Sequence, residues 1–400
     1  MKLPAYSTFE QHWSHDQNTV FLNHGSFGAC PNEILKYQHE LHRKMEADLI
    51  RFMNEDFISG YAENKQALAE FVHANPDDLV FVRNATMGVN TILHSLDFNE
   101  GDEIITHSHA YGACNNAIEY YAKKSGVRMV TARIPFPVES DEQIIQAFVD
   151  AVTPRTRLAM IDHITSGTGL VFPVEKITAA LESKGIEVLI DGAHAPGMLD
   201  LDIDKIGASY YTGNCHKWIC SPKGSALLHV RRDKQSKIVP LQISHKNDLY
   251  AGTDAHWSAQ FIWPGTEDYS AYLCVKPAIE YMGNIMGSWK SLREHNTKLC
   301  LEARKMIAEK TGCSLPAPES MISHLSTMMV DEQPELPTKF FGMNPPLKQR
   351  LYDQFKIQVP VFLFGGENMK AWLRIAVQAY NSMEQYEYLA DCLAKIRRLV

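Results

Sequence analysis

The sequence has no run of apolar residues close to the ~20 that a membrane-spanning helix requires. The 400-residue chain carries a formal net charge of −8, so it lacks the basic excess that binds the phosphate backbone of nucleic acid. Its opening segment, MKLPAYSTFEQHWSHDQ, has no apolar core of the kind that signal peptides carry. We therefore expect no membrane partner, no nucleic-acid partner and no secretory leader.

The eight cysteines include no C-x-x-C pair. Scattered thiols of this kind are typical of a reduced, cytoplasmic protein. Several histidines could suggest a metal site, but no closely spaced set of ligands with carboxylates accompanies them. These histidines are His107, His109, His163 and His194. We therefore predict a cytoplasmic location and no metal.

Short β-branched segments alternate with amphipathic segments through the middle of the chain. Such alternation requires crossover connections, so it predicts an α/β fold with a mainly parallel sheet covered by helices on both faces. The predicted strands are 102–108, 127–134, 157–163 and 187–192, and the predicted helices between them are 113–126, 141–152 and 174–185.

The pattern changes in the last third of the chain. A long helix is predicted at 288–312, followed by short strands and proline-rich loops, and a final helix is predicted from Met383. We therefore predict a large domain at 21–275 and a smaller α+β domain at 276–400. An N-terminal arm at 1–20 is expected to pack with the small domain.

Polar side chains follow several predicted strands, at the edge where sites in parallel sheets gather. Asp191 follows a buried apolar strand, where a carboxylate needs a cationic or hydrogen-bonding partner. Lys217, in the segment GNCHKWICSPKG, stands between His216 and Trp218, two bulky neighbours that a solvated lysine would not need. Other predicted strands are followed by Tyr111, His163, Thr165 and Ser166.

The segment VRNATMGVNTILHSL predicts a helix that begins near Gly88. A hydroxyl and free backbone N–H groups at a helix start suit a phosphate; the residues there are Ala85, Thr86 and Met87. A phosphate cradle, a buried carboxylate, an aromatic side chain and a buried lysine together form the set that pyridoxal phosphate requires. Each has an ordinary alternative: a helix cap for the threonine, a turn for the aspartate and packing for the tyrosine.

The order of these segments resembles the class V aminotransferase family of fold type I pyridoxal-phosphate enzymes, and within it the isopenicillin N epimerase-like branch. DGAHAPG (191–197) followed by HKW (216–218) is typical of the family, while LNHGSFG (22–28) and LRIAVQAYN (373–381) indicate the branch. The resemblance spans nearly the whole chain. It implies the fold type I architecture, a large, mainly parallel sheet domain with a smaller C-terminal domain.

The resemblance implies three catalytic residues. Lys217 would be the Schiff-base lysine that also moves the substrate's α-proton, Asp191 the partner of the pyridine nitrogen, and His194 a neighbour of the ring hydroxyl. We expect the pKa of Lys217 to fall, because its ammonium lies beside His216 and near a cationic cofactor. The other implied cofactor contacts are Ala85, Thr86 and Met87 at the phosphate, Tyr111 on the ring, Thr165, Ser166, Asn214 and His216.

Two further segments concern assembly and substrate. IWPGTEDYSAYL (262–273) resembles a segment that reaches the partner's phosphate, so Gly265 and Thr266 imply a homodimer with an active site shared between chains; the ordinary alternative is a loop before a capped helix. Arg374, in the apolar WLRIAV, needs an anion, and a bidentate carboxylate is the natural one. The resemblance makes it the clamp for the α-carboxylate of a small amino-acid substrate. The other implied substrate contacts are Asn23, His24, Gly25 and Ser26.

Three reactions share one first step, removal of the α-proton. We predict an isopenicillin N epimerase-like enzyme that acts at the α-carbon of an amino acid or amino-acid conjugate, with a C–S lyase or an aminotransferase as alternatives. A binding protein without activity would require the loss of Lys217, Asp191 or Arg374, and all are present. A desulfurase that forms a persulfide is not expected, because the segment 356–373 before Arg374 contains no cysteine.

Overall fold

Strands and helices alternate from Leu79 to Asn214 in the computed structural model, which describes residues 2–245, 253, 256–331, 345–364 and 369–397. In chain order the strands are β1 Val20–Phe21, β2 Leu79–Val82, β3 Glu103–His107, β4 Arg128–Ala132, β5 Thr156–Asp162, β6 Glu187–Asp191, β7 Tyr210–Asn214, β8 Ala226–Val230, β9 Leu325–Asp331, β10 Ile357–Gln358, β11 Val361–Phe364 and β12 Lys370–Ala376.

The helices have the following bounds in the described residues. They are α1 His24–Phe27, α2 Asn32–Ala47, α3 Leu49–Arg51, α4 Phe57–Phe71, α5 Ala85–Ser95, α6 Gly112–Ser125, α7 Asp141–Asp150, α8 Val174–Glu182, α9 Ile203–Ile206, α10 His256–Ile262, α11 Ser270–Leu273, α12 Val275–Asn284, α13 Trp289–Thr311, α14 Pro346–Phe355 and α15 Met383–Arg397. Among these residues, no helix combines the length and apolarity that crossing a bilayer requires.

A seven-stranded sheet of order β2-β8-β7-β6-β5-β3-β4 organises the large part of the molecule. β4, β3, β5, β6 and β7 pair in parallel, and β8 runs antiparallel to both of its neighbours. Buried residues form separate clusters on the two faces, because successive side chains of a strand point to opposite sides: Ile105 belongs to one cluster and Ile104 to the other. The predicted mainly parallel α/β sheet is confirmed.

A second, three-stranded antiparallel sheet of order β11-β12-β9 lies in the C-terminal part of the chain. The long helix predicted at 288–312 is α13, whose N-cap Ser288 accepts a hydrogen bond from the Ser291 amide and whose C-cap Gly312 has a φ of 69°. At α13 and α15 the prediction is confirmed to within one residue at each predicted end.

The N-terminal segment contacts the C-terminal part of the chain. The Ser7 hydroxyl donates to the Ala379 carbonyl at 2.6 Å, and the Ser382 hydroxyl donates to the Ala5 carbonyl at 2.6 Å. β1 pairs in parallel with β10. The division into segments 1–20, 21–275 and 276–400 stays a prediction.

Candidate active site

Four neighbouring strands end in polar residues at one edge of the large sheet. β3 ends at His107, β5 at Asp162, β6 at Asp191 and β7 at Asn214. Because these strands are parallel, their carboxyl ends meet at the same edge, where parallel sheets place their sites. Asp162 is not among the site residues predicted from the sequence, although it ends the apolar strand RLAMID just as Asp191 ends VLID.

Asp191 lies almost completely buried, with 4% of its surface exposed. One carboxylate oxygen accepts the Ala193 amide at 3.0 Å, and the other accepts the Cys114 thiol at 3.1 Å. Burial, together with the nearby Asp162, raises the pKa of Asp191 to about 6. A carboxylate held in this way remains an acceptor for a protonated nitrogen placed above the sheet edge.

Asp162 is a second buried carboxyl group beside the first. Its backbone amide donates to His107 Nε2 at 3.1 Å, so this nitrogen is an acceptor, and Asp162 Oδ1 lies 3.2 Å from the same nitrogen. Burial raises the pKa of Asp162 to about 8, although the Tyr111 and Ser166 amides favour its ionised form. As the pH falls, Asp162 therefore takes up a proton before Asp191 does.

Lys217 extends towards His194, whose Nε2 lies 3.2 Å from the lysine Nζ. The Trp218 indole N–H donates to His194 Nδ1 at 3.3 Å. An indole N–H can only donate, so His194 Nδ1 carries no proton and the neutral ring bears its hydrogen on Nε2. Burial lowers the pKa of His194 well below its usual value, so the ring is neutral. The Nε2–H group thus faces the lysine nitrogen and favours its uncharged form.

Burial lowers the pKa of Lys217 to about 8. Asp191 and Asp162 oppose this change, whereas the Arg374 cation contributes to it. A lysine of lowered pKa presents a substantial fraction of free amine near neutral pH, which is the form that attacks a carbonyl carbon.

The expected fall in the pKa of Lys217 is confirmed. The side chain in contact with the lysine nitrogen is His194, however, and not His216. Lys217 Nζ contacts His194, whereas His216 Nδ1 lies 3.1 Å from the Ser225 carbonyl. The side chain of His216 therefore lies along its own loop, and its proposed contact with a phosphate stays a prediction.

Helix α5 begins at Ala85, three residues before the predicted start near Gly88, so Ala85, Thr86 and Met87 form its first turn and lie at the helix start as predicted. The Asn84 side chain caps it by accepting the Met87 amide at 2.8 Å, and Asn214 Oδ1 accepts the Ala85 amide at 2.8 Å. The sequence pattern missed this cap because asparagine also suits a turn before the helix. Since Asn84 serves as the cap, the Thr86 hydroxyl is not needed for that role.

Gly88 explains how α5 comes so close to β7. A Cβ atom at this position would lie 2.2 Å from Thr212 Oγ1, so only glycine permits the contact. The close packing brings the amino end of α5 next to Asn214, three residues before Lys217.

The remaining predicted contacts to the cofactor ring differ in accessibility. Tyr111, the residue before α6, is half-exposed. Thr165 is buried and its hydroxyl contacts the Thr168 hydroxyl at 2.7 Å. The Ser166 carbonyl accepts a hydrogen bond from Arg374 NH1. The loop that follows β5 is therefore hydrogen-bonded to β12 through Ser166.

Arg374 is a buried cation in β12, with 1% of its surface exposed. Its NH2 group donates to Asn23 Oδ1 at 3.3 Å and to Ser26 Oγ at 3.4 Å, and its guanidinium lies 5.2 Å from the centre of the Phe362 ring. Nε has no hydrogen-bond partner, and within the described ranges no carboxylate forms an ion pair with this arginine. Burial lowers its pKa only to about 10, so the group stays charged and lacks an anion.

The N-terminal segment NHGSFG packs directly against the lysine loop. The Ala29 amide donates to His24 Nδ1 at 3.3 Å, so His24 Nε2 is the ring donor, and it lies 2.9 Å from the Lys217 carbonyl. A Cβ at Gly28, whose φ is 72°, would lie 2.0 Å from the His216 carbonyl. A Cβ at Gly25 would lie 3.4 Å from Arg374 NH2. Both ring nitrogens of His24 thus serve protein contacts, and its predicted role at a substrate remains untested.

Gly265 and Thr266 lie on a loop near the start of α5. Glu267, the next residue, forms an ion pair with Arg83, two residues before α5. Gly265 has a φ of 143°, and Thr266 is exposed. Their predicted contact with a partner's phosphate stays a prediction.

The groups gathered at this edge have the chemistry that pyridoxal phosphate requires. The Asp191 carboxylate suits a protonated ring nitrogen, the Lys217 amine suits an aldehyde, and the amino end of α5 suits a phosphate. In the part of the chain that the structure describes, no three His, Cys, Asp or Glu side chains are arranged to hold a metal ion.

Known proteins show the same combination of fold and segments. Residues 22–333 match the model of the aminotransferase class-V family. The chain is 29% identical to the L-cysteine desulfhydrase of Arabidopsis thaliana, over 98% of this chain and 90% of that protein. It is 28% identical to the isopenicillin N epimerase of Streptomyces clavuligerus, over 94% of this chain and 95% of that protein.

Solved structures share the architecture at lower sequence identity. The cystine C–S lyase C-DES, in complex with its reaction product cysteine persulfide, has a TM-score of 0.77 and 20% identity, and the match covers 94% of this chain and 97% of that one. The Escherichia coli cysteine desulfurase CsdA has a TM-score of 0.76 and 16% identity, with 98% of each chain covered. At this identity the likeness supports the fold. Together with the family match, it confirms the resemblance: the chain belongs to the aminotransferase class-V family of pyridoxal-phosphate-dependent enzymes.

Proposed function

We propose that this chain removes the α-proton of a sulfur-containing amino acid and expels the sulfur substituent from the β-carbon. The observation that carries the proposal is the pair formed by Lys217, a base of lowered pKa, and Arg374, a buried cation without an anion. An α-amino acid supplies both an acidic α-proton and a carboxylate for the arginine.

The site residues have distinct tasks in this reaction. Arg374 binds the α-carboxylate, and Asn23 and Ser26 hold its NH2 group in place. Lys217 takes the α-proton. Pyridoxal phosphate, when bound, supplies the electron sink for the pair left on the α-carbon. Asp191 keeps the ring nitrogen protonated, which strengthens that sink.

Elimination is favoured over epimerisation because it needs one proton carrier. Epimerisation also needs a donor on the face of the substrate opposite Lys217. The charged and polar groups near Lys217 include Asp191, Asp162, Cys114 and Arg374, and each of these four is committed to another role. Asp191 and Cys114 bind each other, Asp162 lies against His107, and Arg374 stays protonated near neutral pH, so it is a poor proton donor.

The sulfur is expected to leave as a free thiol. The overall change is R–S–CH₂–CH(NH₃⁺)–COO⁻ + H₂O → R–SH + CH₃–CO–COO⁻ + NH₄⁺, in which the C–S bond breaks and the thiolate receives a proton. All eight cysteines of the chain are buried. Burial raises the pKa of the two nearest in sequence to Lys217, namely Cys215 and Cys220. Thiols in this state are poor nucleophiles, so a protein persulfide is not part of the proposed reaction.

Epimerisation is the second candidate, supported by one residue and one group of relatives. Tyr111 is half-exposed between β3 and α6 and is predicted to stack on the cofactor ring, where its hydroxyl would serve the opposite face. Isopenicillin N epimerases are among the relatives.

The test is to incubate the protein, loaded with pyridoxal phosphate, with L-cysteine, S-methyl-L-cysteine and L-alanine. Each sulfur compound is expected to yield pyruvate in an amount equal to its sulfur product, which is hydrogen sulfide from L-cysteine and methanethiol from S-methyl-L-cysteine. Formation of D-amino acid without pyruvate would instead assign epimerisation, and Tyr111→Phe would then abolish it. A keto acid that retains the sulfur would assign transamination.

We also propose that the protein is a homodimer with a shared active site and that it works in the cytoplasm. The exposed Thr266 and the 74% exposed Phe27, next to the Ser26 that holds Arg374, support a partner surface beside the site.

A further inference from the structure

We propose that the sulfur substituent of the substrate binds in a cavity of about 730 Å³ beside Arg374, and that the preferred substrate is a cysteine S-conjugate with a bulky apolar substituent ending in an anion. The inference rests on the proposed function, because Arg374 is taken as the clamp for the α-carboxylate. It goes further by assigning a subsite and a substrate class.

The cavity continues the sheet face that presents Arg374. Trp372, which lines the cavity, lies two residues from Arg374 on β12, so both side chains point to the same face, about 7 Å apart. The register partners of Trp372 are Phe362 on β11 and Met329 on β9. Phe362 also lies under the Arg374 guanidinium. An amino acid held at Arg374 can therefore extend its side chain along one continuous surface into the cavity.

The walls of the cavity are mostly apolar and aromatic. Phe136 packs against Trp372, with ring centres 4.4 Å apart, and against Phe364 at 5.5 Å. Met329 adds a polarisable thioether, which suits aromatic and sulfur-containing groups. The side chain of cysteine alone is far too small to fill such a space, whereas a benzyl-sized group would bury most of its surface there.

The rim of the cavity is cationic. Arg133 and Lys370 both line it, and neither makes an ion pair within the described part of the chain. The described lining residues include no Asp or Glu that could neutralise them. Lys370 lies four residues from Arg374 along β12, about 14 Å away. Two cations that line an apolar space select a ligand with a carboxylate distant from the group bound at Arg374.

The experiment compares three substrates: S-methyl-L-cysteine, S-benzyl-L-cysteine and S-(4-carboxybenzyl)-L-cysteine. The quantity compared is kcat/KM for thiol and pyruvate release by the loaded enzyme. The benzyl compound is expected to exceed the methyl compound by about tenfold or more, from buried apolar area. The carboxybenzyl compound is expected to exceed the benzyl compound by a further several-fold.

Two surface variants test the cationic rim without disturbing the core. Arg133→Ala and Lys370→Ala are each expected to lower the carboxybenzyl-to-benzyl ratio of kcat/KM by about three- to tenfold. The matched control, Lys290→Ala, removes an exposed lysine of α13 and should change neither the ratio nor the turnover of S-methyl-L-cysteine. Equal effects of all three variants on the ratio would overturn the assignment of the rim.

A binding measurement separates failure of the subsite from failure of the proposed function. Lys217→Ala, which cannot turn over substrate, is titrated calorimetrically with the same compounds. Tighter binding of the carboxybenzyl compound without turnover by the native enzyme would refute the lyase reaction and leave the subsite standing. Turnover of S-methyl-L-cysteine with no preference for the larger compounds would refute the subsite and leave the lyase reaction standing.

Discussion

Asp162 and Asp191 are register partners at the carboxyl ends of β5 and β6, so two buried carboxyl groups point to the same side of the sheet on neighbouring strands. Two carboxylates this close do not both ionise readily, because neither has water to screen it. Asp162 faces the acceptor nitrogen of a neutral His107, whereas Asp191 accepts the Cys114 thiol and the Ala193 amide. The environments of the pair thus place the proton on Asp162 and the negative charge on Asp191.

The two aspartates are expected to respond differently to the same substitution. Asp191→Asn removes the charge that holds the ring nitrogen protonated, and turnover should fall on the order of 100-fold or more. Asp162→Asn replaces a group that is already neutral near pH 7, and turnover should stay within about tenfold of the native value. Steady-state kinetics of both variants, with cofactor content measured by absorbance, decide the matter. Equal losses in the two variants would contradict this division of roles.

Lys217 is expected to be the residue that holds the cofactor covalently. Borohydride treatment of the loaded protein should fix the cofactor to the peptide that contains Lys217, as identified by mass spectrometry. Lys217→Ala should abolish both the fixation and turnover, because it removes the amine that reacts with the cofactor's aldehyde. Lys223→Ala, an exposed lysine on the same loop, is the control and should retain both. A protein that stays colourless with pyridoxal phosphate would disprove the cofactor assignment.

The lowered pKa of Lys217 gives loading of the cofactor-free protein a defined pH dependence. The folded-state pKa of about 8 means that the ammonium dominates below pH 8 and the free amine above it. The rate of cofactor uptake should therefore fall by about tenfold for each pH unit below 8 and level off above it. Stopped-flow absorbance across pH 6–10 measures the rate. A rate that keeps rising to pH 10 would show that the lysine retains its ordinary pKa.

The Trp218–His194 contact should set the midpoint of that profile. Trp218→Phe removes the indole N–H that keeps His194 Nδ1 free of a proton. The ring can then turn its acceptor nitrogen towards Lys217, which stabilises the ammonium and moves the midpoint to higher pH. Trp257→Phe, a buried tryptophan elsewhere, is the control and should leave the midpoint unchanged. An unshifted midpoint in Trp218→Phe would mean that His194 does not control the lysine.

The protein should sediment as a dimer of the 45.2 kDa chain. Variants that weaken the proposed interface, such as Phe27→Asp, should yield monomer with reduced affinity for pyridoxal phosphate, because the partner's Thr266 is then absent from the phosphate. Analytical ultracentrifugation with parallel cofactor titration tests this. A monomer that binds the cofactor as tightly as the native protein would refute the shared site.

The strand ends show where inference from sequence succeeds. The apolar stretches VLI before Asp191 and ASYY upstream of Lys217 suit strands buried on both faces, and the structure places them at β6 and β7, with Lys217 three residues beyond the end of β7. The position of a residue just after a buried strand is a local property of the chain. Asp162 has the same local signal, since it ends the buried strand β5 directly before His163.

Other features depend on which segments meet in space. The contact between Lys217 and His194 joins loops 23 residues apart. The sequence neighbour His216 interacts electrostatically with Lys217 but does not contact its Nζ atom. The cap of α5 likewise comes from both Asn84 and the distant Asn214. Distances between loops follow from packing, which residue order along one chain does not specify.

The sequence by itself determined the parallel α/β sheet and the family, and it singled out Lys217, Asp191 and Arg374 as candidate site residues, because periodicity and short motifs are encoded locally. Only the tertiary structure decided how these groups are charged and what surrounds them. Asp162 holds a proton while Asp191 stays charged, because β5 and β6 pair in register and bury both carboxyl groups side by side. Arg374 is a cation without an anion because β12 buries it against Phe362. The burial of a charged group and its distance from other charges set its pKa. These environments, like the cavity beside β12, arise when distant segments of the chain pack against one another.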